Sequence, residues 1–364
     1  MDNKIYVTKP FLPDKKLLDS YIEKIYDTGI FTNNGPLLKE LESKLEMYFH
    51  AKHVILVANG TLALQISYRA LNLKGEVITT PYSFIATTSS LIWENLTPKF
   101  VDIKENNLTI KTENIKNSIT ERTKGIVPVH VYGFPCEVEE IGDLSKKYGL
   151  RVVYDAAHAF NVKYKGKTIV NFGDISIVSF HATKLFNTIE GGAIITNDDE
   201  LNVKIREMIN FGISDDGQIK RIGINAKMNE FEAAVGLTIF KDIDKILENR
   251  EYTWKYYFNE LSKYLYFPEP DNYTEWNYSY VPVLFKNEKQ LLEVLKQLNK
   301  NRIYPRRYFY PSLNTIPYIK SSSVCNTSEE ISKRVLCLPT FYGICDNDLN
   351  RIISIIKSSI NLKW

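Results

Sequence analysis

From residue 50 to residue 196, short runs rich in valine and isoleucine alternate with longer stretches whose apolar residues recur at helical spacing. A chain that alternates in this way builds a mostly parallel sheet with helices on its faces, because each parallel strand needs a crossover to reach the next. The runs predict seven strands, at 54–57, 76–80, 99–103, 125–131, 151–155, 174–180 and 192–196. Between them, 61–71 spaces Leu64, Ala70 and Leu71, and 137–148 spaces Val138, Ile141 and Leu144, as helices covering the sheet require. A long helical pattern over 229–250 leaves the sheet region and leads into a tyrosine-rich stretch. A strand at 278–285 and helices at 288–298 and 346–357 then suit a smaller α/β unit. The expected fold is α/β, with a large domain over 1–240 and a small C-terminal domain over 241–364.

With 364 residues, 44% of them apolar, the chain can bury a sizeable core. Its 46 Lys and Arg face 43 Asp and Glu, and a net charge of +3 without basic clusters gives no reason to expect a nucleic acid or a membrane surface as partner. Cys136, Cys325, Cys337 and Cys345 form no CxxC pair and are too few for a disulfide scaffold. The first residues, MDNKIYVTKPFLPD, lack an apolar signal core, and no run is long enough to span a bilayer. A cytoplasmic protein is expected.

The window 151–196 carries the chemistry. Asp155 ends an apolar run; alone it could cap the next helix, but a carboxylate at the carboxyl end of a parallel strand sits where such sheets bind ligands. There it could keep a pyridine nitrogen protonated. Lys184 is one lysine among many, yet it follows a strand and precedes Glu190-Gly191-Gly192, and a lysine so placed can form an imine and shuttle a proton. Asn59-Gly60-Thr61 lies between a strand and a helix, a natural phosphate site, although turn and cap roles would explain it equally. Phe84 could stack on a planar group or simply fill the core. The five histidines show no metal-site spacing, and neither GxxxxGK[ST], GxGxxG after a strand, nor GxSxG occurs.

Taken in order, FTNNGPLLKELE, ANGTLALQ, TTPYSFIATT, PKFVDI, PVHVYGFPC, YDAAHAF, SFHATK, EGGAIIT, GINAKMNEFEAAVG and CLPTFYG resemble the DegT/DnrJ/StrS sugar aminotransferases over nearly the whole chain. These are homodimeric fold type I enzymes dependent on pyridoxal 5'-phosphate. The resemblance implies that Lys184 tethers the cofactor, Asp155 pairs with its ring nitrogen and Phe84 stacks on the ring. Gly60, Thr61 and Ser179 would hold the phosphate, and Asn225 would reach the neighbouring subunit's phosphate, so that each site is shared by two chains. His158 stands where many members carry Gln, which leaves open the tautomer able to bond the cofactor's phenolic oxygen. Thr32, Asn33, Tyr308 and Tyr310 are candidate sugar or nucleotide contacts.

The combination VTKPFLP, TNNGP, YDAAHAF and SFHATKLFNTIEGG is most similar to members that use L-glutamate to aminate a dTDP-linked 4-keto-6-deoxyhexose, giving dTDP-4-amino-4,6-dideoxyglucose (viosamine). Amination at C3, or of UDP- or GDP-linked sugars, is the alternative, because fold resemblance does not choose among them. Dehydration of similar sugars is disfavoured by the retained Lys184. A non-catalytic regulator is disfavoured by Lys184, Asp155 and the phosphate loop together.

Overall fold

The computed structural model describes residues 4–319 and 321–360. Its centre is a seven-stranded sheet made of β1 (His53–Val57), β2 (Glu76–Thr79), β3 (Thr97–Phe100), β4 (Thr123–Val127), β5 (Arg151–Asp155), β6 (Ile175–Ser179) and β7 (Gly192–Thr196). The spatial order is β1-β7-β6-β5-β4-β2-β3. Only β7 runs antiparallel to its neighbours, with Gly192 opposite both Val57 and Ser179. The strands β1 to β6 therefore point the same way, and their carboxyl ends form one rim, where open α/β sheets bind ligands.

The sheet is apolar on both faces because helices cover both, as parallel sheets require. One face packs against α1 (Lys15–Thr28), α2 (Pro36–Phe49), α5 (Val138–Tyr148) and α7 (Glu230–Phe240) through residues such as Leu41, Leu45, Ile141 and Ala233. The other meets α3 (Gly60–Ala70), α4 (Ile85–Trp93) and α6 (Asp199–Met208) through Leu64, Ile66, Leu91 and Ile205. Pro36 at the first turn of α2 gives up no hydrogen bond, and the Glu230 carboxylate accepts from the Leu37 and Leu38 amides at 2.9 Å each. In α3, Asn59 caps the helix by accepting from the Leu62 amide at 2.9 Å, which leaves Gly60 and Thr61 as the exposed amide turn.

A second core gathers α8 (Ile243–Leu261), α9 (Glu288–Lys300), α11 (Asp346–Ile360) and the antiparallel pair Pro282–Leu284 and Val335–Cys337. The helix Asn326–Arg334, α10, precedes the last of these strands. Ile5 belongs to this core as well, since Ile5–Tyr6 pairs in parallel with Ile303–Tyr304.

Several boundaries differ from those expected. The strand expected at 99–103 is Thr97–Phe100; its apolar run continues into Val101 and Ile103, which are buried beyond the ladder. The strand expected at 125–131 is Thr123–Val127, because Pro128 has no amide to continue it. The helical pattern at 229–250 is two helices, broken at Lys241–Asp242. The strand expected at 278–285 shortens to Pro282–Leu284, with Tyr278 at φ 50 bending the chain before it.

Candidate active site

At the strand rim lies a cavity of about 270 Å³ whose lining includes Asn59, Gly60, Thr61, Phe84, Asp155, His158, Ser179 and Lys184. Sequence-distant segments meet here because each follows a parallel strand: β1 delivers Asn59 to Thr61, β2 delivers Phe84, β5 delivers Asp155 and His158, and β6 delivers Ser179 and Lys184.

Asp155 is 6% exposed, and its carboxylate accepts from Thr87 Oγ1 at 2.7 Å and from the Ala157 amide at 3.1 Å. Burial pushes its pKa above the usual value, opposed by those two hydrogen bonds and by the charge of Lys184. Lys184 Nζ reaches Tyr280 Oη at 3.3 Å. Its desolvation outweighs the attraction of Asp155 and pulls the ammonium pKa down to about 8.

His158 is held in one tautomer. Its Nδ1 accepts the Tyr132 amide hydrogen at 3.1 Å, so the neutral ring carries its proton on Nε2. Burial, helped by Lys184, lowers its pKa well below the usual value and keeps it neutral. Tyr132 can present its amide this way because it adopts φ 56, and its other polar groups are used too. Its carbonyl accepts from Trp276 Nε1 at 2.9 Å, and its hydroxyl bonds the Tyr308 carbonyl and Tyr82 Oη.

Gly60 brings the amino end of α3 close to the sheet: a Cβ there would lie 3.1 Å from Ser179 Cβ. At Gly192 a Cβ would come within 2.9 Å of the Gly60 amide nitrogen. Two glycines thus let free helix amides, the helix dipole and Ser179 face one small volume, which suits a phosphate. Phe84 is 57% exposed at the cavity mouth, where it is open to a planar ligand and is no core residue.

Residues 14–357 match the DegT/DnrJ/EryC1/StrS aminotransferase family. The chain belongs to this family. It is 40% identical to a dTDP-4-amino-4,6-dideoxy-D-glucose transaminase of Shigella dysenteriae, over 98% of this chain and 99% of the relative. It is 30% identical to a GDP-perosamine synthase of Escherichia coli O157:H7, over 98% of each. Among solved structures, DesI in the presence of its TDP-sugar product superposes with a TM-score of 0.94 at 30% identity, covering 99% of this chain and 94% of that one. Helicobacter pylori PseC superposes with a TM-score of 0.92 at 26% identity, covering 98% and 99%.

The chain is thus a sugar aminotransferase dependent on pyridoxal phosphate. The residues present fit that group. A buried carboxylate at a strand end suits a cationic ring nitrogen, an Nε2–H donor suits a phenolic oxygen, a desolvated amine suits a carbonyl carbon, and the glycine-spaced amides suit a phosphate. Tyr308 also lines this aminotransferase cavity, whereas Tyr310 lies in an adjoining hollow. Thr32, Asn33 and Asn225 do not line it; Asn225 is exposed, with Oδ1 3.4 Å from the Lys227 amide. Sequence reasoning missed Thr87, Tyr132, Tyr280 and Arg306. Thr87 lies in the quoted TTPYSFIATT segment, but its bond to Asp155 joins the first turn of the helix Ile85–Trp93 to the end of β5 and leaves no local pattern.

Among the described residues no helix is long and apolar enough to cross a membrane, and no group of three His, Cys, Asp or Glu could hold a metal ion.

Proposed function

We propose that this enzyme transfers the amino group of L-glutamate to dTDP-4-keto-6-deoxyglucose, giving dTDP-4-amino-4,6-dideoxyglucose. The observation that carries the chemistry is Lys184 desolvated in one cavity with buried Asp155 and the amino end of α3. The choice of sugar is supported by the 40% identity to the Shigella dysenteriae transaminase, against 30% to the GDP-perosamine synthase.

When bound, pyridoxal phosphate supplies an electron-accepting ring and a carbonyl carbon that carries nitrogen from donor to acceptor. Lys184 would tether the cofactor, and its Nζ, when free, would take and return the proton in each half-reaction, with burial lowering its basicity toward neutral pH. Asp155, steadied by Thr87 and the Ala157 amide, holds the ring nitrogen protonated. His158, its Nδ1 taken by the Tyr132 amide, would donate from Nε2 to the phenolic oxygen. Gly60, Thr61 and Ser179 would receive the phosphate, and Phe84 would cover the ring. Tyr308, in the cavity, and Tyr310, in the hollow beside it, would contact the sugar nucleotide, whereas Thr32 and Asn33 lie outside both.

The site is completed by a second copy, whose Asn225 reaches the phosphate. Exposed Phe211, Ile219, Ile222 and Ile224 flank Asn225, an apolar surface that a second chain would cover. We place the division between large and small domains at 240/241, beside the break between α7 and α8. A cytoplasmic location suits the four free thiols.

Adding glutamate to the holoenzyme should shift its visible absorbance, and Lys184→Ala should lose turnover while keeping its circular dichroism. A colourless protein that binds no pyridoxal phosphate would refute the reading.

A further inference from the structure

A second hollow, also about 270 Å³, opens beside the catalytic cavity and shares Phe84, Arg306, Tyr308 and Phe309 with it. The two arginines at this junction are held differently. Arg307 is spent on the protein: its Nη2 bonds Glu288 Oε1 at 2.7 Å and the Lys333 carbonyl at 2.9 Å, and its guanidinium lies 3.5 Å from the centre of the Tyr310 ring. That contact fixes one face of Tyr310, which remains 49% exposed, so the ring is a rigid platform with its other face open.

Arg306 is exposed, and its guanidinium pairs with no carboxylate among the described residues. Its backbone is fixed on both sides, the amide donating to the Cys337 carbonyl at 3.2 Å and the carbonyl accepting from the Cys337 amide at 2.8 Å. Its Nη1 donates to Tyr308 Oη at 3.0 Å, which holds the fork at the doorway between the hollows. A fixed guanidinium without a counter-charge, between a sugar-sized cavity and an aromatic hollow, matches a ligand whose anionic middle links a sugar to a flat ring.

We propose that Arg306 is the diphosphate anchor of a nucleotide subsite in this second hollow, with Tyr310, backed by Arg307, stacking the base. This rests on the reading that the substrate is nucleotide-linked and deepens it, because it separates recognition of the carrier from the amino-transfer chemistry around Lys184. Glutamate, the other anion expected at the cavity, has no use for the aromatic hollow.

The test is calorimetric titration of the full-length enzyme loaded with pyridoxal phosphate, using dTDP alone as probe, for wild type, Arg306→Ala, Arg306→Lys and Tyr310→Ala. Arg306→Ala should weaken dTDP binding at least tenfold, Arg306→Lys should recover part of it, and Tyr310→Ala should weaken it severalfold. Unchanged dTDP affinity in a folded Arg306→Ala variant would overturn the proposal. So would loss of the glutamate-driven absorbance change with dTDP affinity intact, since the anion held would then be a carboxylate. If the amino-transfer reading itself fails, glutamate produces no absorbance change in wild type, yet the dTDP titrations still read the subsite.

Discussion

The same desolvation acts oppositely on Lys184 and Asp155, lowering the pKa of one and raising that of the other. In the cofactor-free protein this has a consequence for stability. Below about pH 8 the Lys184 ammonium is charged in both folded and unfolded chains, and the cost of burying it is fully present. Between about 8 and the ordinary lysine value near 10.5 the unfolded chain keeps the proton and the folded one does not, so stability rises with pH by up to about 1.4 kcal/mol per pH unit. Denaturant unfolding of apo wild type and apo Lys184→Met across this window should show that rise in wild type and not in the variant; parallel curves would contradict it. Lys184, Asp155 and Gly60 were legible in the sequence because each sits at a strand end beside distinctive neighbours. Tyr132 and Arg306 were not. Tyr132 acts through an amide exposed by a left-handed backbone, and Arg306 through a missing counter-charge, properties that exist only after the chain has folded.

At the scale of elements, the strand periodicity located all seven strands of the central sheet, since apolar runs buried on both faces are distinctive. Ends were less legible where burial outlasts hydrogen bonding, as at Val101 and Ile103, or where a proline stops the ladder, as at Pro128. The pairing of Ile5–Tyr6 with Ile303–Tyr304 joins segments some 300 residues apart and leaves no local signal. One element-scale device links α7 to α2. Glu230, fully buried at the start of α7, accepts both amides of the first turn of α2, and it packs so closely that a Cβ on Gly35 would sit 2.4 Å from its Cδ. Glu230→Gln keeps the shape but cannot accept both amides equally and loses the charge that complements the helix dipole. It should cost about 1–3 kcal/mol in denaturant unfolding, and a loss below about 0.5 kcal/mol would show the cap to be incidental.

Across the whole molecule, Asn225 lies outside the cavity and among exposed isoleucines, Ile219 at 78% and Ile222 at 79% exposed. Light scattering of the wild type should give twice the 42.1 kDa chain mass, and the Ile219→Asp, Ile222→Asp double variant should shift toward monomer and hold pyridoxal phosphate less tightly. A monomeric wild type with full cofactor affinity would contradict a shared site. In the proposed division of labour the sheet rim would run the amino transfer, the C-terminal part would supply Tyr280, Arg306 and Tyr308 to the substrate side, and a second chain would close the phosphate end. The most direct test of this account is incubation of the holoenzyme with dTDP-4-keto-6-deoxyglucose and ¹⁵N-labelled L-glutamate, followed by NMR of the sugar nucleotide. Amino transfer at C4 requires ¹⁵N bonded to C4 of a dTDP-4-amino-4,6-dideoxyglucose, with 2-oxoglutarate formed in equal amount; unlabelled sugar recovered from an enzyme that does convert its cofactor with glutamate would contradict it.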